Sequence, residues 1–258
     1  MMAKGTIGQA SGSLRAAGRK LGSSATTILA ALLLYLLMLG AIFLFLTTRE
    51  SNLWQVVLGL VISPLLVVVI FFIGQAFAIH AIRTGIGTGY KLRLALVDWM
   101  KLMVATLPLA LIIVLFSYLL TIVESSLSDW IGTESVVWVR PGLVCLKWLL
   151  YGLIFPLLAI NWWIIAVREG SAAALRATRR VCRLTFDPAA ILIYLVVVGL
   201  YGFIAWSLFR TRPRIEREWL ELSLFAVRMA MAMLMIFLGW LLTLGGMAEW
   251  TAQRELGE

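Results

Sequence analysis

The sequence contains six long stretches with almost no charged side chains, and these stretches constrain the fold more than any other feature. Each is close to the ~20 residues that an α-helix needs to cross a ~30 Å hydrocarbon core. The apolar residues follow one another without alternation, as in 65–74 (LLVVVIFFIG), whereas strands of a membrane β-barrel alternate between lipid-facing and lumen-facing side chains. We therefore predict an all-α integral membrane protein with six transmembrane helices. The stretches are residues 26–48, 53–82, 102–123, 148–167, 188–209 and 229–248.

The overall composition agrees with this prediction. Of the 258 residues, 62 % are hydrophobic, and the mean hydropathy is +0.98, whereas roughly half of the residues in a soluble globular domain are apolar. The first stretch follows basic residues, as a signal-peptide core does, but it is longer and leads into 47–52 (TTRESN) without a small-residue cleavage site. We expect it to remain as a span. Pro64, Pro108 and Pro156 lie inside spans, where they predict kinks.

The distribution of basic residues predicts the orientation. With the N-terminus in the cytoplasm, fourteen of the 22 Lys and Arg residues fall on the cytoplasmic face and eight on the outer face, as the positive-inside rule favours. The loop 210–222 opposes this assignment, because it carries four arginines on the outer side. We predict a multi-pass protein with both termini in the cytoplasm.

The net charge of +9 indicates a membrane surface as partner. The basic side chains lie beside the spans and are not interleaved with stacking aromatic residues, so we expect no nucleic acid as partner. Anionic headgroups attract each basic side chain near the surface by about 1 kcal/mol. The residues that we expect to contact lipid headgroups at the interface are Arg15, Arg19, Lys20, Arg93, Lys101, Arg176, Arg179, Arg180 and Arg183.

Three basic stretches of similar design precede the first, third and fifth spans and predict an internal repeat. They occupy 14–21 (LRAAGRKL), 92–102 (LRLALVDWMKL) and 175–184 (LRATRRVCRL), and each opens with Leu-Arg and closes with a basic residue and a leucine. Recurrence at a fixed period, here about 80 residues, indicates one unit used several times; the alternative is chance, because Leu and Arg are common at cytoplasmic span ends. We predict one membrane domain with three copies of an interfacial helix followed by a transmembrane hairpin. The domain covers 1–258, and the copies cover about 5–82, 85–167 and 169–248.

The stretch 169–192 (EGSAAALRATRRVCRLTFDPAAIL) places an acidic-glycine pair before Ala-Leu-Arg, a hydroxyl residue and a basic turn that leads into a span. Together with the six-span layout, it resembles the membrane domain of bacterial glycerophosphodiester phosphodiesterase-type proteins and their stand-alone multi-pass relatives. In that family a serine commonly stands at the position of Thr178 and an aromatic residue at that of Arg179, so this chain departs from the pattern twice. The family's hydrolytic chemistry belongs to a separate soluble barrel, for which 258 residues leave no room. The resemblance implies a fold and a place in the bacterial cytoplasmic (inner) membrane, and no activity.

Polar and ionisable side chains inside spans are candidate functional residues, because placing them in lipid is costly. His80, the only histidine, is a candidate axial ligand of a chlorophyll or haem, but no second ligand accompanies it, which favours an interfacial role. We expect Gln75 and Asn161 to form interhelical hydrogen bonds, with a substrate path as the alternative. Lys147 and Arg228 lie inside the outer span ends, where snorkelling to the interface is the structural alternative to a functional role.

Catalytic machinery is not evident in the sequence. No span contains paired carboxylates, no nucleophile accompanies the histidine, and neither a phosphate loop nor metal-ligand spacing occurs. Cys145 and Cys182 are too few for a disulfide framework or a metal cluster. The 13 acidic residues fall in loops or at span ends, so ion coupling lacks its usual buried carboxylate. We expect no enzyme activity, no catalytic residues, no bound metal and no cofactor.

One function is expected, and two alternatives remain. We expect a non-catalytic structural or accessory subunit of a larger membrane complex, which contacts lipids and other membrane-protein subunits through apolar faces such as 229–235 (MAMAMLM). The first alternative is a carrier or permease for a lipid or another amphiphile, with Gln75, Asn161 and Arg228 lining a cavity. The second is a pigment- or haem-associated accessory subunit in which His80 is the ligand.

Overall fold

A computed structural model describes residues 2–48, 52–83, 87–130, 136–211 and 218–257. Within these residues the chain forms eleven α-helices and two π-helical turns, and it contains no β-strand. Residues 212–217, which belong to the loop whose arginines oppose the predicted orientation, lie outside the described residues. In chain order the α-helices are α1 (Met2–Gly22), α2 (Ala25–Thr47), α3 (Leu53–Val57), α4 (Ser63–Arg83), α5 (Thr88–Trp130), α6 (Val136–Leu149), α7 (Phe155–Glu169), α8 (Ser171–Arg176), α9 (Thr178–Thr185), α10 (Pro188–Arg210) and α11 (Glu218–Gly257).

Six helical segments of the described chain are long and apolar enough to cross a membrane. They are 23 to 39 residues long, above the ~20 residues that a spanning helix requires, and a helix satisfies its backbone polar groups internally where water is absent. The predicted fold class is therefore confirmed, and the chain is an all-α, multi-pass membrane protein. The spans are Ala25–Thr47, Leu53–Ile82, Thr88–Ser126, Pro141–Glu169, Pro188–Arg210 and Trp219–Arg254.

The three predicted interfacial stretches adopt two different arrangements. Stretch 14–21 belongs to a separate helix, α1, because the chain turns at Ser24, whose hydroxyl accepts a hydrogen bond from the Thr27 amide at 3.3 Å, as an N-cap residue does. Stretch 175–184 forms α8 and α9, which are separate from α10. Stretch 92–102 instead continues into the third span as part of one 43-residue helix, because it contains no glycine or proline that would end a helix.

The helices form two compact units. The first unit comprises residues 1–99 and 188–258, and the second comprises residues 100–187. In the first unit, α11 packs against α10, α4 and α1, and α2 packs against α4. In the second unit, α7 packs against α8 and α9. In each unit, one helix, α11 or α7, therefore provides the surface against which several others pack.

Glycines of α11 let the neighbouring helices of the first unit approach its backbone. A Cβ at Gly239 would lie 2.8 Å from the Tyr201 Cβ of α10, and a Cβ at Gly245 would lie 2.6 Å from Ile82 Cδ1 of α4. Real Cβ atoms are not found so close to other heavy atoms. The packing therefore depends on the absence of a side chain at Gly239, whereas at Gly245 the terminal methyl of Ile82 could move aside. Small residues permit this kind of close approach between membrane helices.

Helix α1 is amphipathic and packs by its small-residue side. A Cβ at Gly246 of α11 would lie 2.9 Å from Leu14 Cδ2, and the Ser13 hydroxyl donates to Gln253 Oε1 at 3.1 Å. These contacts place one side of α1 against the protein, whereas Arg15, Arg19 and Lys20 are exposed. The buried residues recur every three or four positions, as on one face of a helix, and they are Ala10, Ser13, Ala17 and Leu21.

The second and fourth spans each contain a π-helical turn just before a proline. The turns are Leu58–Ile62 and Leu150–Ile154, and Pro64 and Pro156 follow them after one intervening residue. A proline inside a helix removes one hydrogen bond and clashes with the preceding turn, and a π turn is one of the local distortions that accommodate such a site. Pro108, by contrast, lies within the α-helix α5.

Candidate functional site

The candidate residue His80 is buried at the end of α4 and is hydrogen-bonded to a carboxylate. Its Nε2 lies 2.9 Å from Asp98 Oδ2 of α5, and the two side chains are 10 % and 9 % exposed. A carboxylate only accepts hydrogen bonds, so Nε2 is the donor when Asp98 is ionised. Because Nε2 is already hydrogen-bonded, axial ligation of a pigment or haem through this atom would break the hydrogen bond to Asp98.

A lysine of α5 is buried beside the same end of α4. Lys91 is 6 % exposed, and its Nζ donates to the Ala81 carbonyl oxygen at 3.4 Å. Lys91 and Asp98 are separated by two helical turns, so they lie on the same face of α5. Buried charges need such partners, because an unpaired charge in an apolar environment is very costly. The arrangement holds the imidazole of His80 in one orientation and joins α4 to α5 within the first unit.

Neither Asp98 nor Lys91 was predicted to be a site residue, although the sequence contains a signal for both. Both belong to a stripe of buried residues at alternating spacings of four and three, which identifies one face of a helix. The basic and apolar composition of this stretch is typical of an interfacial helix. Its charged side chains were therefore expected to be exposed, whereas Lys91 and Asp98 are buried. The stripe consists of Lys91, Ala95, Asp98, Leu102, Ala105 and Leu109.

Gln75 lies inside the second span and is 2 % exposed. The Trp240 Nε1 donates to Gln75 Oε1 at 3.1 Å, so this amide links α4 to α11. Both residues line an apolar groove of about 200 Å³ whose other walls include Tyr35 of α2 and Phe71 of α4. Of the three residues expected to line a cavity in a carrier, Gln75 lines this groove, whereas Asn161 and Arg228 are not among its described lining residues.

Asn161 is fully buried in α7 and joins α7 to α9 in the second unit. Its Nδ2 donates to the Leu157 carbonyl oxygen at 3.0 Å and to Thr185 Oγ1 at 3.3 Å, and the Thr185 hydroxyl donates in turn to the Val181 carbonyl oxygen at 2.9 Å. Both hydrogen bonds are donated by Nδ2, and this fixes the orientation of the Asn161 amide. Its Oδ1 is buried and has no hydrogen-bond partner in the part of the chain that the structure describes.

The two candidate cations near the outer span ends each have a partner. Arg228 of α11 donates from Nε and Nη2 to the Leu208 carbonyl oxygen of α10, at 3.1 and 2.9 Å. Leu208 lies in the last turn of α10, where carbonyls lack a partner within the helix. Lys147 Nζ lies 2.6 Å from Glu124 Oε2, and this pair is largely exposed. Arg228 therefore links the N-terminal part of α11 to the C-terminal end of α10.

The candidate headgroup residues lie at the protein surface, and two of them form ion pairs. Lys20 contacts Glu249 at 2.5 Å, and Arg180 contacts Glu169 at 3.0 Å. Among the described residues, no group of three or more His, Cys, Asp or Glu side chains is arranged to hold a metal ion. Lys101 is half-buried, and the exposed members are Arg15, Arg19, Lys20, Arg93, Arg176, Arg179, Arg180 and Arg183.

The fold and these contacts define the class of protein: a multi-pass, all-α membrane protein whose buried polar side chains mainly join one helix to another. Comparison of the chain with protein-family models, with curated proteins and with solved structures finds no match. The assignment to multi-pass, all-α membrane proteins therefore depends on the helices and contacts of the chain itself.

Proposed function

We propose that this chain is a non-catalytic accessory subunit of the bacterial cytoplasmic membrane, with both termini in the cytoplasm. It binds anionic lipid headgroups through the basic surface of α8 and α9 and packs with the helices of a larger membrane complex. The proposed orientation is supported by the excess of basic residues on the cytoplasmic face. The observation that carries the proposal is the amphipathic character of α9, which has one apolar and one basic face.

Helix α9 separates apolar and basic residues onto two faces. Val181 and Leu184 are buried, whereas Arg179 and Arg183, four residues apart, are exposed on the other side. A short helix with one apolar and one basic face is typical of a helix that lies in the plane of the membrane interface. The charges are then directed at the headgroups.

Three arginines of this surface are available for lipid phosphates. Arg180 is paired with Glu169 at 3.0 Å, whereas Arg176, Arg179 and Arg183 have no acidic partner among the residues that the structure describes. Arginine donates two parallel hydrogen bonds to phosphate oxygens. An exposed aromatic residue, Phe186, follows α9 directly before the fifth span, and aromatic side chains favour this depth of the bilayer.

The apolar faces of the spans support contact with partner helices. In α2 only 11 % of the most apolar stretch is buried within the protein, and the side chains that remain exposed include Leu33, Leu37 and Phe43. In the membrane such a face contacts lipid chains or other helices. Since helix association in lipid depends on packing and not on a hydrophobic driving force, a wide apolar face is compatible with both.

A charge-retaining control tests the lipid contact. We expect the triple substitution Arg176→Gln, Arg179→Gln, Arg183→Gln to abolish preferential retention of phosphatidylglycerol over phosphatidylcholine, because each arginine contributes about 1 kcal/mol at an anionic surface. The triple substitution to Lys keeps the charge and should keep most of the preference. The measurement is native mass spectrometry of protein purified from mixed vesicles. Equal retention by all three proteins would contradict the proposal.

Purification from the native membrane in mild detergent tests the accessory role. Stoichiometric co-purification of other membrane subunits is the expected result. An isolated chain that retains no other subunit after crosslinking in the membrane would refute this part of the proposal.

A carrier for an amphiphile is the second candidate function, and the groove lined by Gln75 and Trp240 favours it. A carrier moves its ligand between leaflets, so reconstituted vesicles distinguish the two functions. Transfer of a fluorescent lipid between leaflets at a rate proportional to the amount of protein would support the carrier, whereas an accessory subunit leaves that rate unchanged.

A further inference from the structure

We propose that the groove between α2, α4 and α11 binds a lipid-soluble compound whose ring-sized apolar head carries a carbonyl or hydroxyl oxygen, and that the amide nitrogen of Gln75 donates a hydrogen bond to that oxygen. This binding site lies in the first unit. It is independent of the lipid contact proposed for α9.

The groove lies inside the hydrocarbon region. Tyr35 is near the middle of Ala25–Thr47, and Gln75 is about two helical turns from the inner end of the span Leu53–Ile82. No bulk water is present at this depth. An occupant must therefore be apolar over most of its surface.

The size and lining of the groove favour a ring. Its volume is about 200 Å³, and an apolar cavity of about 150 Å³ is known to take up benzene. Tyr35, Phe71 and Trp240 contribute aromatic rings to the walls. Aromatic side chains attract another flat ring in stacked or edge-to-face contact. A six-membered ring with its attached tail leading into the lipid fits this lining.

Gln75 provides the polar contact. The Trp240 indole N–H donates only, so it fixes the Gln75 Oε1 towards itself, and the Nε2 is the other end of the same amide. This nitrogen has no acceptor among the described residues, although the side chain is 2 % exposed. An amide that is unpaired in an apolar environment is destabilising, and a ligand oxygen in the groove satisfies it.

The depth of Gln75 also distinguishes between sources of that oxygen. The ester carbonyls of phospholipids lie in the interfacial region outside the hydrocarbon core. A phospholipid acyl chain at this position brings no acceptor. The oxygen must therefore belong to a compound whose polar head enters the hydrocarbon region, as the ring of a quinone or a phenol does.

Two probes with the same tail test the role of the oxygen. Decylubiquinone carries ring carbonyls, and decylbenzene does not. We expect decylubiquinone to quench part of the tryptophan fluorescence saturably in detergent solution, and decylbenzene to compete at concentrations on the order of fivefold higher, as one hydrogen bond in a buried site predicts. Equal competition, or quenching without saturation, would overturn the proposal.

Variants locate the site. A Cβ at Gly74 has ordinary contact with Trp240 at 3.7 Å, so the longer side chain of Gly74→Leu should extend into the groove and abolish the saturable quenching. Gly40→Leu in α2 is the control, because nothing lies within 4 Å of its added Cβ, and it should bind as the wild type does.

Gln75→Leu tests the hydrogen bond. It should weaken binding of decylubiquinone about fivefold and leave that of decylbenzene unchanged. If Gly74→Leu and Gly40→Leu bind equally, the groove is not the site; if a variant fails to fold, the probe competition in the wild type decides.

Discussion

The Nε2 of His80 lies 2.9 Å from Asp98 Oδ2, although the two residues belong to different helices and are 18 positions apart in the chain. The contact holds the end of α4 against the first turns of α5. Both residues have further interactions, and the buried Lys91 lies beside the same end of α4, so polar groups cluster at this end of the first unit. Such clusters are costly when incomplete, because every unpaired member carries its desolvation penalty.

The first prediction concerns the energy of this pair. His80→Ala and Asp98→Ala should each destabilise the protein by about 1–3 kcal/mol, because each removes a hydrogen bond between two buried side chains. The double variant should be more stable than the sum of the single effects predicts, by about 1 kcal/mol or more. Thermal unfolding in detergent micelles measures all three. Arg93→Ala, exposed on the same helix, is the control and should change stability by less than about 0.5 kcal/mol; additive effects of the two single substitutions would argue against the coupling.

The second prediction concerns the contact between α10 and α11. Gly239→Ala should destabilise the protein by about 1–3 kcal/mol, because the new Cβ would lie 2.8 Å from the Tyr201 Cβ. Gly202→Ala in α10 is the matched control, because nothing lies within 4 Å of its added Cβ. It should stabilise the helix slightly, since alanine has the higher helix propensity. The comparison of the two unfolding temperatures is the measurement, and equal shifts would show that the close approach does not limit stability.

The third prediction concerns the hydrogen bond between α7 and α9. Thr185→Val keeps the shape of the side chain and removes the hydroxyl that accepts from Asn161 Nδ2. Interhelical hydrogen bonds in membrane proteins contribute about 0.6 kcal/mol on average and at most about 1.7, so the loss should lie in that range. Thr178→Val, exposed at the start of α9, is the control. A loss no larger than that of the control would contradict the link.

The fourth prediction concerns the junction between α7 and α8. Gly170 has φ 90° and ψ 163°, a region that residues with a side chain rarely adopt. Gly170→Ala should cost about 1–3 kcal/mol through backbone strain alone, because nothing lies within 4 Å of its added Cβ. Gly142→Ala, also with open space around the new Cβ and with no positive φ, should be neutral or slightly stabilising. Proteolysis at the α7–α8 junction measures the difference, and equal rates of cleavage would refute the strain.

The six spans were predictable because each depends on a local property, the length of an apolar run. The positions of the span ends were less predictable. Residues 92–102 have the composition of an interfacial helix, yet they continue into the third span, because no glycine or proline ends the helix there. Asp98 was not predicted to be buried, because the composition of this stretch indicated an interfacial helix. A stripe of residues three and four apart would have placed it on the buried face of α5, but composition describes a segment and not its faces.

Contacts between distant helices were the least predictable part of the candidate site. Gln75 was singled out as an interhelical donor or acceptor, but its partner Trp240 lies 165 positions away, and nothing in either local sequence indicates the other. The same is true of Arg228, whose partner is a backbone carbonyl, that of Leu208. A carbonyl is present in every residue, so no sequence pattern can identify which one accepts.

The π turns at Leu58–Ile62 and Leu150–Ile154 change the helical phase of the spans that contain them. A π turn adds one residue to the helix without ending it, and one residue corresponds to a rotation of about 100°. The halves of the second and fourth spans that precede and follow the π turn are therefore out of phase. A helical wheel drawn through either whole span combines residues from two different directions, and each half must be assigned its own lipid-facing side.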